Sequence, residues 1–137
     1  MSLVDKLMSV DKDTFVKEET AEIKARHMSK LLGEETYIKV KGVSSDRFME
    51  ITSLMIGADG KRDFSKSLDS AALLAVEGIV EPNLKNKDLQ EHFGAVTPKE
   101  LAKILFKGSE LTKITEKITE LSGFSDDEDE AVEEIKN

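Results

Sequence analysis

Apolar positions recur with two different periods along this chain, and the changes of period mark its elements. From Thr20 to Arg26 the residues alternate, Ala21, Ile23 and Ala25 against Glu22, Lys24 and Arg26, the two-residue period of a half-buried strand. Tyr37 to Val43 alternates again, with Ile38 and Val40 on one face and Lys39 and Lys41 on the other. The two runs predict an antiparallel ribbon, and between them Met28 to Leu32 reads as one helical turn stopped by Gly33. A two-stranded ribbon is marginal alone, so its apolar face needs a helical cover. The next segment is the expected cover: Ser44 caps it, and Phe48, Ile51, Leu54 and Met55 follow at helical spacing through Ile56.

Gly57 to Asp63, GADGKRD, predicts a turn on its Asp-Gly step. Its two acids raise a calcium loop, but an EF-hand needs oxygen ligands at fixed alternate positions and a terminal glutamate, which this run lacks. Ser65 or Ser67 then caps a helix through Ala71, Ala72, Leu73, Leu74, Val76 and Ile79, ended by Pro82. It is apolar over much of its circumference and is expected to be the central, most buried helix. At the other end of the chain, Ser2 with Asp5 caps a short helix carrying Leu3, Val4, Leu7 and Met8 on one side, and Asp11 to Asp13 breaks that pattern.

From Glu81 to Phe124 the start and stop signals follow one another closely. Asn86 caps a short helix ending at Gly94. Thr97, Pro98 and Glu100 supply a cap, a first-turn proline and an acid that bonds back to the cap, predicting a helix from Pro98 to Lys107 stopped at Gly108. Ser109 or Glu110 opens the last helix, whose Leu111, Ile114, Ile118 and Leu121 form one apolar stripe; Gly123 closes it and Phe124 folds back. The whole pattern predicts one α+β domain over residues 1–124, mainly α-helical, with a small antiparallel β ribbon packed on a compact helical body. Residues 125–137 read as a flexible acidic tail, too poor in apolar residues to fold alone.

Composition narrows the function more than the fold. With 137 residues, 39% of them hydrophobic, the chain suffices for one buried core. Of the net charge of −8, residues 125–137 carry −6, from seven acids against Lys136, so the acidity belongs mostly to the tail. No basic stripe suited to phosphates is visible, which argues against nucleic acid. The absence of cysteine removes disulfides, thiolate metal sites and cysteine nucleophiles. MSLVDKLMSV lacks the basic start and long apolar run of a signal peptide, and no membrane-spanning run follows, so a cytoplasmic protein is expected. His27 and His92 stand apart from any metal or acid-base spacing, and no glycine run matches a phosphate loop. No catalytic, cofactor-binding or metal-binding residues are assigned. The reading is a non-catalytic binding module whose anchors, without tryptophan, are Leu, Ile, Met and Phe.

The Leu111, Ile114, Ile118 and Leu121 stripe has two readings. It packs on the domain's own core, or, with Ile104, Leu105 and Phe106 before it and Phe124 after it, it lines a groove for a partner's amphipathic helix. Two short helices beside an acidic tail are the least tied-down part of the chain, so these eight residues are the candidate partner site. The acidic run itself reads as a solvated tail, with metal chelation or nucleic-acid mimicry as the alternatives.

The run VEGIVEPNLKNKDLQEHFGAVTPKELAKILFKGSEL, then ELSGF, the acidic tail and the ending EEIKN, resembles the XkdN-like family of phage tail assembly chaperones. The opening MSLVDKLM and the segment YIKVKGVSSDRFMEI share in the resemblance. It implies a protein made with the tail genes, absent from the finished tail, that acts on the long tape measure protein, with the tail tube protein as a further candidate partner. The alternative from residues alone is a regulatory adaptor or anti-sigma-like module using the same C-terminal helices. Neighbouring genes for a tube protein and a very long helical protein would favour the chaperone. Chaperones of this type are often made in two lengths through a slip of the ribosome by one nucleotide. Ile135, Lys136 and Asn137 fit a slippery heptamer of the form A-AAA-AAC, with the acidic run as tether to a second domain. Gene sequencing is expected to show that heptamer and an open −1 frame; codons that break it would remove the idea.

Overall fold

The computed structural model describes residues 1–124, so the expected flexible tail lies outside the described residues. Among the described residues the chain forms eight α-helices and a three-stranded antiparallel sheet, the α+β, mainly helical fold expected. Helix α1 (Leu3–Met8) starts at a full capping box between Ser2 and Asp5. A second short helix, α2 (Lys12–Val16), follows where only a break was expected, and neither helix buries a residue.

Strands β1 (Thr20–Lys24) and β2 (Tyr37–Lys41) pair antiparallel with Ile23 opposite Ile38 and Ala21 opposite Val40, so the alternation read from the sequence sets the register. The first run stops two residues early because Arg26 already opens α3 (Arg26–Leu32), which Gly33 closes at φ +74°. Helix α4 (Ser45–Ser53), capped by the Ser44 hydroxyl, ends before Ile56, since Ile56 turns instead to bridge Arg62. That bridge closes the GADGKRD turn, Gly57 to Asp63. Asp59 accepts from the Lys61 amide and Asp63 from the Ser65 amide and hydroxyl, and these bonds to the ionised form hold the Asp63 carboxyl below its ordinary range.

Helix α5 (Ser67–Gly78) follows a single 3-10 turn at Phe64–Lys66; the cap is Lys66, and neither Ser65 nor Ser67 serves. Its Ser70, Ala72, Leu74, Ala75 and Gly78 are buried, and α4, α7 (Pro98–Leu105) and α8 (Gly108–Leu121) all pack against it, as expected of a central helix. The chain then departs from expectation: Ile79–Glu81, read as the helix end, is strand β3, paired with β2. Asn86 caps α6 (Lys87–His92), and Thr97 caps α7. Glu100 bonds the amide of Val96, one residue before the cap, at 2.8 Å. Gly108 does not stop a helix but begins α8.

The sheet's cover also differs from expectation. Helix α8 lies against β1 and β2, while α4 packs on α5. Two glycines allow this. A side chain at Gly78 would put its Cβ 2.5 to 2.8 Å from the Ile118 side chain, and one at Gly42 would meet the Leu121 carbonyl oxygen at 2.5 Å. Below α8 the Val43 amide donates to Ser122 Oγ at 2.8 Å. Phe124 folds back and stacks on Phe48 of α4, centroids 4.4 Å apart. Lys103 and Lys99 of α7 face Asp69 of α5; the Lys103 hydrogen bond and then the charges of both lysines hold the Asp69 carboxyl below its ordinary range.

Because Ile118 is fully buried against residue 78, Gly78→Ala is expected to destabilise the fold by about 1 to 3 kcal/mol through overpacking. Ile118→Ala should cost about 2 to 5 kcal/mol, comparable with Leu74→Ala. Urea melts of the three variants check this, and near-wild-type midpoints for both residue 78 and residue 118 would refute the packing.

Candidate functional site

The eight candidate residues divide between core and surface. Phe106, Leu111, Ile114 and Ile118 are buried in the core, and Leu121 and Phe124 are half-buried against it. The reason is the position of α8, whose stripe faces α5 and the sheet. Of the two readings of the stripe, packing on the domain's own core is therefore the arrangement found. The continuous groove of eight residues is not formed, because seven of them, all but Ile104, are enclosed or packed by their own fold. Ile104, which is 46% exposed, and Leu105 line an open groove elsewhere.

That groove has a volume of about 360 Å³ and lies between α3, α6 and α7, lined by His27, Met28, Leu31, Leu32, Pro82, Leu89, Phe93, Ile104 and Leu105. Each wall follows from local sequence. On α3, Met28, Leu31 and Leu32 stand at spacings of three and four, hence on one face. Ser29 fixes that helix: its hydroxyl donates to the Ala25 carbonyl at 2.6 Å and accepts from the Thr36 amide at 2.9 Å. Leu89 on α6 and Phe93 just past it stand one turn apart. The buried Gln90 anchors that helix by donating from Nε2 to the Leu84 carbonyl at 2.8 Å. Ile104 and Leu105 close the groove from the last turn of α7.

Four of the lining side chains remain largely in solvent: Leu31 at 74%, Leu32 at 61%, Ile104 at 46% and Phe93 at 42%. Their side chains give the groove an apolar lining open to solvent. Its chemistry is adhesive and not reactive. His27 is the one titratable lining residue, and among the described residues no three His, Asp or Glu side chains converge on a metal position. Of the nine lining residues, sequence reasoning found Ile104 and Leu105 and missed the other seven, the exposed Leu31, Leu32 and Phe93 among them. The available signal was an apolar pair at the end of a seven-residue helix, where one face alone can be covered.

Comparison with known proteins bears on this surface. The family profile for the phage XkdN-like tail assembly chaperone protein matches residues 4–136. The chain belongs to this family. The XkdN protein of the phage-like element PBSX of Bacillus subtilis (strain 168) is 38% identical over 76 residues, 53% of this chain and 51% of that protein. The uncharacterised protein YqbN of the same strain is 41% identical over 76 residues, with the same shares of each chain. The chain thus spans about half the length of the curated relatives it matches. The crystal structure of YqbN aligns with a TM-score of 0.59 and 25% identity, covering 85% of this chain and 98% of that one. Among the described residues of this tail assembly chaperone family member, no helix is long and apolar enough to cross a membrane.

Exposure and burial separate the groove from the core by experiment. Leu32→Ser is expected to change stability by less than about 0.5 kcal/mol, the usual size for a surface site. Phe106→Ala, at a side chain only 2% exposed, should cost about 3 to 5 kcal/mol. Chemical denaturation of both variants tests the division, and equal losses would contradict it.

Proposed function

We propose that this chaperone binds an apolar stripe of the tape measure protein in the groove between α3, α6 and α7 and keeps that stripe covered until the tail tube assembles around it. The observation that carries the reading is the uncovered apolar surface of Leu31, Leu32, Phe93 and Ile104 on a chain of the tail assembly chaperone family. A tape measure protein is a long, mainly helical chain, and its apolar stripes would associate with one another before tube subunits enclose them. A groove with aliphatic walls and a phenyl group at its edge accepts side chains at helical spacings of three and four. Covering a leucine exposed as Leu31 is contributes about 1 to 2 kcal/mol, so several such contacts give reversible capture, which a protein absent from the finished tail requires.

The role is non-catalytic and needs no cofactor. It is carried out in the host cytoplasm, and the tail tube protein is a further partner, met when the tape measure is handed over. Net negative charge keeps the complex dispersed while apolar surface is being exchanged.

Co-expression with the tape measure protein from the same gene cluster, followed by affinity capture, tests the reading. Capture is expected for the wild type and a loss of ten-fold or more for Leu31→Asp with Ile104→Asp, at unchanged thermal stability. Undiminished capture by that double variant would move the binding surface elsewhere.

A further inference from the structure

A second cleft, also about 360 Å³, adjoins the apolar groove, and His27 lines both. Its floor is apolar, formed by Ile23, Ala25, Ile38 and Ile114. Its rim is basic: Lys24, Arg26, Lys30, Lys107 and Lys113 surround it with Glu110 as the one acid. Lys24 is matched by Glu35 at 3.3 Å, and the other four cations pair with no carboxylate among the described residues. Four unmatched cations against Glu110 leave an excess of three positive charges on a domain that is otherwise slightly acidic. The cleft beside Gly42 shows the contrast, with Lys17 against Glu18, Glu19 and Glu120. Like charges gathered over an apolar floor repel one another and raise the local potential, which favours an anionic occupant.

The chain carries a matching anion. Residues 126–134 contain seven acids, and Ala131, Val132 and Ile135 interrupt them with small and aliphatic side chains. We propose that this acidic segment docks in the basic cleft of its own domain, its acids against Arg26, Lys30, Lys107 and Lys113 and its apolar residues toward the adjoining groove. The tether permits it. The first turns of α8 form a wall of the cleft, and its 14 residues separate that wall from Phe124 by roughly 21 Å. Residues 125–137 span up to about 40 Å when extended, so they reach back along the helix and into the cleft. Attachment to the same chain supplies an effective concentration of about millimolar, enough for weak screened ion pairs to hold the segment in place.

The chain has no cysteine, so a spin label on Asn137→Cys of the otherwise intact protein reads the docking directly by amide NMR. Selective broadening of Arg26, Lys30, Lys107 and Lys113 is expected at low ionic strength. It should fade by several-fold near about 0.5 M salt, where charges are screened within a few ångströms. It should also be lost in Lys107→Glu with Lys113→Glu, and in a second variant whose tail acids are replaced by their amides, which leaves the folded domain unaltered. Broadening spread evenly over the surface, centred elsewhere, or arising only between labelled and unlabelled molecules in a mixture would overturn the proposal. No partner is present in this measurement. Loss of capture by the groove variant without any tail broadening would therefore sink the docking alone, and tail broadening with undiminished capture would sink the groove alone.

Discussion

The contact between Ile118 and Gly78 is the constraint on which the arrangement depends. Helix α8 carries the longest apolar stripe of the C-terminal region, and it settles on α5 because residue 78 has no side chain to hold it off. Close approach of two helices gains dispersion along the whole line of contact, so a single absent Cβ brings Leu111, Ile114 and Ile118 into the core together. At its far end α8 is held again, where Gly42 admits the Leu121 carbonyl and the Val43 amide donates to Ser122 Oγ. Helix α8 thereby joins α5 to the sheet, and the Phe48 and Phe124 stack adds α4 to the same unit.

What this leaves uncovered follows from what it covers. The central helix has neighbours in α4, α7 and α8, and the sheet has α8 against it, while α3 and the last turn of α7 rest on the core through Met28 and Leu105 and leave their outer faces bare among the described residues. Leu31, Leu32, Phe93 and Ile104 consequently remain in solvent around one groove. Under the proposed function, this exposed surface is the one that an apolar stripe of the partner covers. The groove is mainly aliphatic, in keeping with a chain that has six phenylalanines, one tyrosine and no tryptophan.

Electrostatics divides the molecule along α3. Met28, Leu31 and Leu32 lie on its groove side and Arg26 and Lys30 on its cleft side, so one seven-residue helix presents an apolar edge and a basic edge with His27 between them. Elsewhere some charges pair across elements, as Asp69 does with Lys103 and Arg47 with Glu77. Four cations without a carboxylate partner among the described residues, Arg26, Lys30, Lys107 and Lys113, line the one cleft beside the apolar groove.

Features that depend on neighbours within a few residues were legible in the sequence. The alternation of β1 and β2 set their register, and the caps at Ser2, Ser44, Asn86 and Thr97 set helix starts, because each hydrogen bond closes within one turn. Features that depend on remote partners were not. Ile79–Glu81 continues the apolar run of α5 and becomes a strand only because β2 offers an edge to it. Gly108 follows a helix and resembles a stop, yet the next helix begins there, since glycine serves at either end. The candidate site turned on the same distinction. The stripe of α8 and the apolar residues of α3 are equally fit for a partner or for the core when read as sequence. Which of them is buried depends on distant elements, and the missing side chain at Gly78, forty residues before Ile118, gave the core to α8 and left α3 to solvent.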